Sequence, residues 1–399
     1  MCPSYQATRN EKDTTRARAN ALREFLTQTS DDQAFAQAAL KEVMDLCISC
    51  KGCTGECPSN VDLASMKAEF LHQYYQHTGV PLRAKAFAHI NDIHQQASRV
   101  PRLYNFFLRH PATSHLLKKA LGVATARQLP LLHQQPLRQW FTRNFRPART
   151  QYHREVYLFC DEFTNYLDTP VGQHAVLLLD HLGYKVHLID HPESGRAAIS
   201  KGLLPLAKRL AEEQVQRFSS LINAETPLLG IEPSAILSFR DEYPRLVSPP
   251  FVEAARQLAP HCLLIDEFLS REIQAGRITA DAFTQAPAQV LLHAHCHQKA
   301  LGDLQDTVWM LSLPVGYSVE VIPSGCCGMA GSFGYEAEHY EVSIQIGELV
   351  LLPAIRKAPT HAIIAANGTS CRHQIADGAG RNAKHPVTIL WEAYENKNE

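Results

Sequence analysis

The chain has no excess of basic residues: 39 Lys and Arg stand against 40 Asp and Glu, a formal net charge of −1. A nucleic-acid partner would therefore meet no overall cationic surface, and that class of function drops out. No uninterrupted apolar run approaches the length needed to cross a bilayer, and no charged-then-apolar segment of the secretory kind opens the chain. Those absences predict a cytoplasmic protein with no transmembrane segment, any membrane association being peripheral. A second, separate C-x2-C pair, which a structural zinc site ordinarily uses, is also missing. What the chain does have is cysteine. With eleven in 399 residues and no export signal, these read as metal ligands rather than disulfides. A hydrophobic content of 45% and a charged content of 20% are ordinary for a soluble globular protein, and the length allows two or three domains.

Four cysteines cluster in Leu46-Cys47-Ile48-Ser49-Cys50-Lys51-Gly52-Cys53-Thr54-Gly55-Glu56-Cys57-Pro58. The spacing C-x2-C-x2-C-x3-C-P is the iron–sulfur run of bacterial ferredoxins, in which the first three thiolates hold one cubane cluster. Gly52 and Gly55 are expected to supply the turns that point the sulfurs inward, and Ser59-Asn60-Val61-Asp62 offers caps for a helix running to about His77. In two-cluster ferredoxins the last cysteine of each run serves the other cluster. Cys2-Pro3 looks like the tail of such a run without its first three cysteines. On that reading Cys2 is the fourth ligand beside Cys47, Cys50 and Cys53, and Cys57 belongs to a cluster this chain does not complete alone. The alternative gives Cys47, Cys50, Cys53 and Cys57 to one cluster. The first reading makes the chain a fragment, one half of a split protein, or a degenerate copy.

Residues 11–45 read as helix, with Arg9, Arg16, Arg18 and Arg23 either offsetting an anionic cluster or lining a solvated face. Residues 80–147 are helical in pattern and punctuated by prolines; their aromatic and basic residues, among them Arg102, Tyr104, Phe106, Phe107 and Arg109, suit core packing or a docked partner domain. From Val156 the pattern turns to strands alternating with helices, which implies mostly parallel sheets. Expected strands are Val156–Cys160, Lys185–Ile189 and Ala235–Phe239, then Val290–His295, Ser318–Ile322 and His361–Ala366. The second set repeats the first: Gly183-Tyr184-Lys185-Val186-His187-Leu188-Ile189 parallels Gly316-Tyr317-Ser318-Val319-Glu320-Val321-Ile322 without a gap, so the domain is duplicated.

Aligning the copies exposes a second cysteine site. The later copy carries Cys296, Cys326, Cys327 and Cys371 at strand ends, where α/β domains place ligands. The earlier copy is expected to retain only Cys160 (opposite Cys296), with Glu193, Ser194 and Ala235 opposite the others. Soft thiolates there would bind an iron–sulfur cluster or zinc. His293, His295 and His297 alternate around Cys296 and would share one face if the strand continued. They and His373 are extra ligands, proton carriers or satisfied polar groups, and Cys262 is structural.

With these residues in hand, the chain resembles the C-terminal iron–sulfur half of bacterial FAD-linked oxidases of the D-2-hydroxyglutarate dehydrogenase-like type. The likeness covers nearly all of it. It runs through Cys2-Pro3-Ser4-Tyr5, the ferredoxin run, His295-Cys296-His297-Gln298-Lys299-Ala300, Ser324-Gly325-Cys326-Cys327-Gly328-Met329-Ala330-Gly331 and Ser370-Cys371-Arg372-His373-Gln374-Ile375. The paired CCG domains are also similar to those of glycolate oxidase iron–sulfur subunits and of the CCG-bearing subunit of heterodisulfide reductase, whose CCG cysteines hold iron–sulfur clusters. The resemblance implies an α+β multidomain fold: an N-terminal α-helical ferredoxin-type domain over 1–79, a helical connector over 80–150, a degenerate α/β CCG domain over 151–275 and an intact one over 276–399. It implies one [4Fe-4S] cluster, a second being open at the CCG site. FAD belongs on a partner domain or chain, because the flavin domain of full-length relatives has no counterpart here. The expected role is electron transfer for a 2-hydroxy-acid dehydrogenase. The alternatives are a CCG-domain thiol–disulfide reductase and a truncated non-catalytic remnant. No catalytic residue, substrate or electron acceptor is named by these strings.

Overall fold

The computed structural model describes residues 2–28 and 35–398. Within the expected 11–45 helix it has a short turn at Glu11–Asp13 and helices Thr15–Gln28 and Ala38–Asp45; residues 29–34 lie outside the described residues. Helix Leu63–Thr78 follows the cysteine run, its start fixed by Asp62, whose carboxylate accepts the Ser65 N–H. The connector is a succession of short helices. Pro101 and Pro111 each open one, at the helix position where a missing N–H costs nothing.

Two parallel sheets follow. The first contains β1 (Arg154–Phe159), β2 (Tyr184–His187), β3 (Leu228–Gly230) and β4 (Cys262–Leu264) in the order β2-β1-β3-β4. The second contains β5 (Ala288–His293), β6 (Tyr317–Val321) and β7 (Ile363–Ala366) in the order β6-β5-β7. The first three strands of each copy thus share one topology, and the first sheet adds β4. Helices Thr169–His181 and Pro386–Asn398 pack on each other, and one apolar core runs from Val156 and Leu179 of the first copy to Leu292 and Leu390 of the second. Cys262 is fully buried in β4, as a structural cysteine should be.

Three expectations fail at this level. Ala235–Phe239 is not a strand. Pro233 and the Glu232 carboxylate, which accepts the Ser234 N–H, start a helical turn at Pro233–Ile236, and the strand is the buried Leu228–Gly230 before it. The histidines around Cys296 do not alternate on a strand, because β5 stops at His293 and helix Cys296–Leu301 begins with His295 as its cap. Gly52 and Gly55 do not carry the left-handed turns of the cysteine run. Those fall on Ser49 (φ 50°) and Lys51 (φ 60°), a conformation that disfavours side chains and collects at functional sites.

Sheet register also corrects the pairing of the copies. Val156 pairs with Val186, and Val290 with Val319. With these central valines equivalent, the counterpart of Cys296 is Glu162, not Cys160. Local structure agrees, since Asp161 and His295 each cap a short helix by accepting a backbone N–H two residues on. The same registers set Ser194 opposite Cys327, Glu193 opposite Cys326 and Ala235 opposite Cys371. Gly195 and Gly328 are both left-handed (φ 71° and 92°); a Cβ on Gly328 would overlap the Ser343 carbonyl oxygen. The first copy therefore keeps the frame and exchanges sulfur for oxygen. Glu162 accepts from the Ser194 N–H and hydroxyl at 3.0 and 2.7 Å.

Glu193 is buried beside Glu162, with its Oε2 lacking a hydrogen-bond partner. Burial first, then the Glu162 charge, push its carboxyl from 4.5 up to about 8. The folded acid holds its proton to higher pH than the unfolded chain, so the stability it contributes is complete below about pH 4.5 and is lost as pH rises through about 8. Glu193→Gln should leave thermal stability at pH 4 unchanged and raise it at pH 8. Parallel melting-temperature curves for the two proteins across that range would contradict this.

Candidate iron–sulfur site

The cysteine run leaves helix Ala38–Asp45 and is pressed between the two α/β copies. Ile48 is buried in the core of the second copy, and the short helix Gly52–Glu56 packs on Cys296–Leu301. Polar contacts fix the loop from both sides. Lys51, 2% exposed, pairs with Asp241 and, at 2.9 Å, with Glu242; Glu242 pairs in turn with Arg196. Arg245 reaches Asp62 at 2.8 Å. From the second copy, the His297 ring contacts the Ser49 carbonyl at 3.0 Å, and His339 bridges Asp45 at 3.0 Å and Glu336 at 2.9 Å. Glu242 is buried, yet Arg196 and Lys51 hold its carboxyl well below the usual carboxylate range.

This packing leaves a cavity of about 840 Å³. Cys2, Cys47, Cys50, Cys53 and Cys57 all line it, and so do Cys296 and Cys326 from the second copy. The ferredoxin-type cysteines and part of the CCG quartet thus share one space. Cys2 reaches it from the cap of helix Pro3–Thr8, and the fully buried Arg18 donates to its sulfur at 3.2 Å. Burial raises the Cys2 thiol, but Arg18 and the neighbouring N–H and hydroxyl donors outweigh it, and the net shift is downward. Of the four arginines considered from sequence, Arg18 touches a cysteine, Arg16 lines the cavity from an exposed position, and Arg9 and Arg23 are exposed. Cys50 is pushed well above its ordinary value by burial and by the nearby Cys296 sulfur, so a nearby cation would be needed to favour its thiolate. Cys57 behaves differently: N–H groups of Val61 and Ser59 lower its thiol in a half-exposed position.

Among the described residues, no three of the sulfurs of Cys2, Cys47, Cys50, Cys53 and Cys57 lie within 4.8 Å of one another. Ligands of a single ion sit closer than that, so the spread of thiols around a cavity suits a multi-atom cluster. The second copy is more compact. His293, Cys327 and Cys371 bring their donor atoms within 4.8 Å, all three buried. His293 gives Nδ1 to a 2.7 Å contact with the Ser324 hydroxyl, and its Nε2 has no hydrogen-bond partner. All four cysteines are free thiols, with Cys326 beside the Cys296 and Cys327 sulfurs and Cys371 beside Cys327, so that a proton on one stabilises a thiolate on the next. This sharing of protons brings Cys296 down to about 7 and Cys327 well below its ordinary value, and raises Cys326 and Cys371. Behind this quartet lies a second cavity, of about 200 Å³, lined by Cys296, Cys326 and Cys327, by His295, His297 and His373, and by Tyr104 of the connector. Cys160 stands apart, buried with its thiol pushed up to about 12.

The clamp on the loop was not readable from sequence. Lys51 stands inside the cysteine run, but Asp241 and Glu242 lie some 190 residues away with no spacing to mark them. His293 was visible only as one of several histidines, and its role as a donor beside Cys327 depends on β5 ending there.

The chain matches the 4Fe-4S dicluster domain family over residues 1–62. It is 26% identical to D-2-hydroxyglutarate dehydrogenase of Escherichia coli (strain K12), over 98% of this chain and 42% of that protein. It is also 26% identical to a subunit of the anaerobic glycerol-3-phosphate dehydrogenase of the same organism, over 70% of this chain and 68% of the relative. The glycolate oxidase iron-sulfur subunit, again from that organism, is 22% identical over 99% of this chain and 92% of the relative. The chain spans about two fifths of the length of the curated D-2-hydroxyglutarate dehydrogenases it matches. The resemblance drawn from the cysteine strings therefore holds: residues 1–62 match a 4Fe-4S dicluster domain, and the chain is a homologue of D-2-hydroxyglutarate dehydrogenase, of a glycerol-3-phosphate dehydrogenase subunit and of a glycolate oxidase iron-sulfur subunit.

Proposed function

We propose that this chain relays electrons from a flavin-containing dehydrogenase domain or subunit that oxidises a 2-hydroxy acid. The observation that carries this reading is the single cavity of about 840 Å³ faced by both the ferredoxin-type cysteines and Cys296 and Cys326. In the proposed assignment Cys47, Cys50 and Cys53 hold a [4Fe-4S] cluster with Cys2 as fourth ligand, and Cys57 serves a second cluster. A bound cluster supplies one-electron storage; the polypeptide supplies everything that positions it. Arg18 offsets negative charge at Cys2, Lys51 and Glu242 hold the loop against the α/β copies, and the loop so held sets Cys50 beside Cys296 on one cavity wall. The close His293–Cys327–Cys371 group supports a metal role for the second copy rather than dithiol catalysis. The names of the relatives, two dehydrogenases and an oxidase, support a dehydrogenase partner, and the family resemblance of the cysteine strings supplies the flavin.

Iron and sulfide analysis of anaerobically purified protein, with EPR of the reduced form, tests the reading. The expected result is a [4Fe-4S] signal that disappears in Cys50→Ser and Cys2→Ser and persists in Cys57→Ser and Cys326→Ser. Protein without iron would defeat the reading; loss of the signal in Cys57→Ser but not Cys2→Ser would reverse the ligand assignment. The clamp makes a separate prediction. Glu242→Gln leaves Lys51 and Arg196 buried with one carboxylate fewer, and should cost about 3–5 kcal/mol in denaturant unfolding. A loss below about 1 kcal/mol, the scale of a surface pair, would show that the clamp does not hold the loop.

A further inference from the structure

The connector runs against the normal rule of burial. Helices Pro101–Arg109 and Pro111–Ala120 turn Asn105, Leu108 and Ser114 inward and leave Leu103, Phe106, Phe107 and Leu116 outward. Asn105 is satisfied there, donating to the Leu132 carbonyl at 2.8 Å and accepting the Leu132 N–H at 2.9 Å. Among the described residues, nine of the fourteen exposed large hydrophobic side chains fall between Leu82 and Leu121. Phe106 is 58% exposed and Leu116 69%. An exposed apolar concentration of this kind marks a surface that something covers.

Charge identifies the occupant. Between Asp92 and Glu155 the sequence contains no acidic residue, although the whole chain has a net charge of −1. Some arginines of this stretch are used internally, as in Arg127–Asp377 and Arg138–Asp190. Arg99, Arg102, Arg109, Lys118 and Lys119, however, have no carboxylate partner among the described residues. Arg102, Arg109 and His110 line a cavity of about 440 Å³ with Asn105, Phe106 and Gln134, again without a carboxylate. Phenylalanine and leucine flanked by unpaired cations complement an anionic lipid surface, with rings entering the acyl boundary and guanidinium groups meeting phosphates. Lysines such as Lys118 and Lys119 are depleted from the interface core of a soluble protein partner, whereas they suit a phosphate-bearing surface.

We propose that the Pro101–Ala120 helix pair is an interfacial element that docks the protein on an anionic lipid bilayer, lying in the plane of the surface and not spanning it. No helix of the described residues is long and apolar enough to cross a membrane. The element is continuous with the functional site, since Tyr104 on its first helix lines the cavity bordering Cys296, Cys326 and Cys327.

The test is co-sedimentation of the full chain with vesicles of phosphatidylcholine alone or mixed with phosphatidylglycerol. Binding should require the anionic lipid and weaken with added salt. It should fall about tenfold or more both in Arg102→Glu/Arg109→Glu and in Phe106→Ser/Phe107→Ser. These side chains are exposed, and unchanged far-UV circular dichroism confirms a folded variant; Leu116→Ser/Leu117→Ser on the second helix repeats the test independently. Failure to sediment with anionic vesicles at low salt, equal binding to both vesicle types, or variants that bind like the parent would overturn the proposal. So would a wild-type protein that ignores vesicles but loses a bound flavoprotein on Phe106→Ser/Phe107→Ser, which would give the face to a protein partner.

Discussion

A lysine buried inside the cysteine run holds the site together. Lys51 takes a left-handed backbone conformation that the loop needs to bring Cys50 and Cys53 round, and its ammonium group then enters a pocket of carboxylates on the first α/β copy. Each condition is costly alone: a side chain in the left-handed region is strained, and a buried ammonium group is desolvated. Together they are mutually supporting, since Asp241 and Glu242 neutralise the charge and the ion pairs hold the strained turn. Glu242 is itself tolerable inside only because Arg196 shares it. With the loop fixed on that side, the His297–Ser49 and His339–Asp45 contacts close it on the other, and Cys50 comes to rest beside Cys296.

The duplication explains why two unlike sites occupy equivalent positions. Both copies keep the strand order, the side-chain cap after the first strand and the left-handed glycine in the second loop, because these are backbone requirements. The residues that bear chemistry are free to change. Where the second copy gathers Cys326, Cys371 and His293 around Cys327, with Cys296 beside Cys326, the first has Glu162 hydrogen-bonded to Ser194 with Glu193 alongside. These carboxyls are buried without a cation: burial raises both, and Glu193, next to the Glu162 charge, holds its proton instead of ionising. The first copy now serves as the platform that receives Lys51.

Much of this was legible in the sequence. The cysteine spacing, the Cys-Pro at the start, the parallel α/β pattern and the repeat around Gly183 and Gly316 are local signals, and each corresponds to an observed element. What misled were features decided by tertiary context. Ala235–Phe239 has a strand-like composition, but Pro233 and a capping carboxylate turn it helical. Cys160 and Cys296 look equivalent by letter, but strand register separates them by two residues. Glycines near Cys53 suggested the turns, whereas Ser49 and Lys51 make them under constraint from Asp241, Glu242 and His297. Partners so distant in the chain leave no periodicity to find.

The central claim is that Cys2, Cys47, Cys50 and Cys53 enclose one iron–sulfur cluster on the wall of a cavity shared with Cys296 and Cys326. Anomalous diffraction at the iron edge, from crystals grown without oxygen, addresses it most directly. The account predicts an iron peak bounded by those four sulfurs on the side of the cavity facing Cys296. A peak held by Cys57 in place of Cys2, zinc in place of iron, or no metal between these cysteines would contradict it.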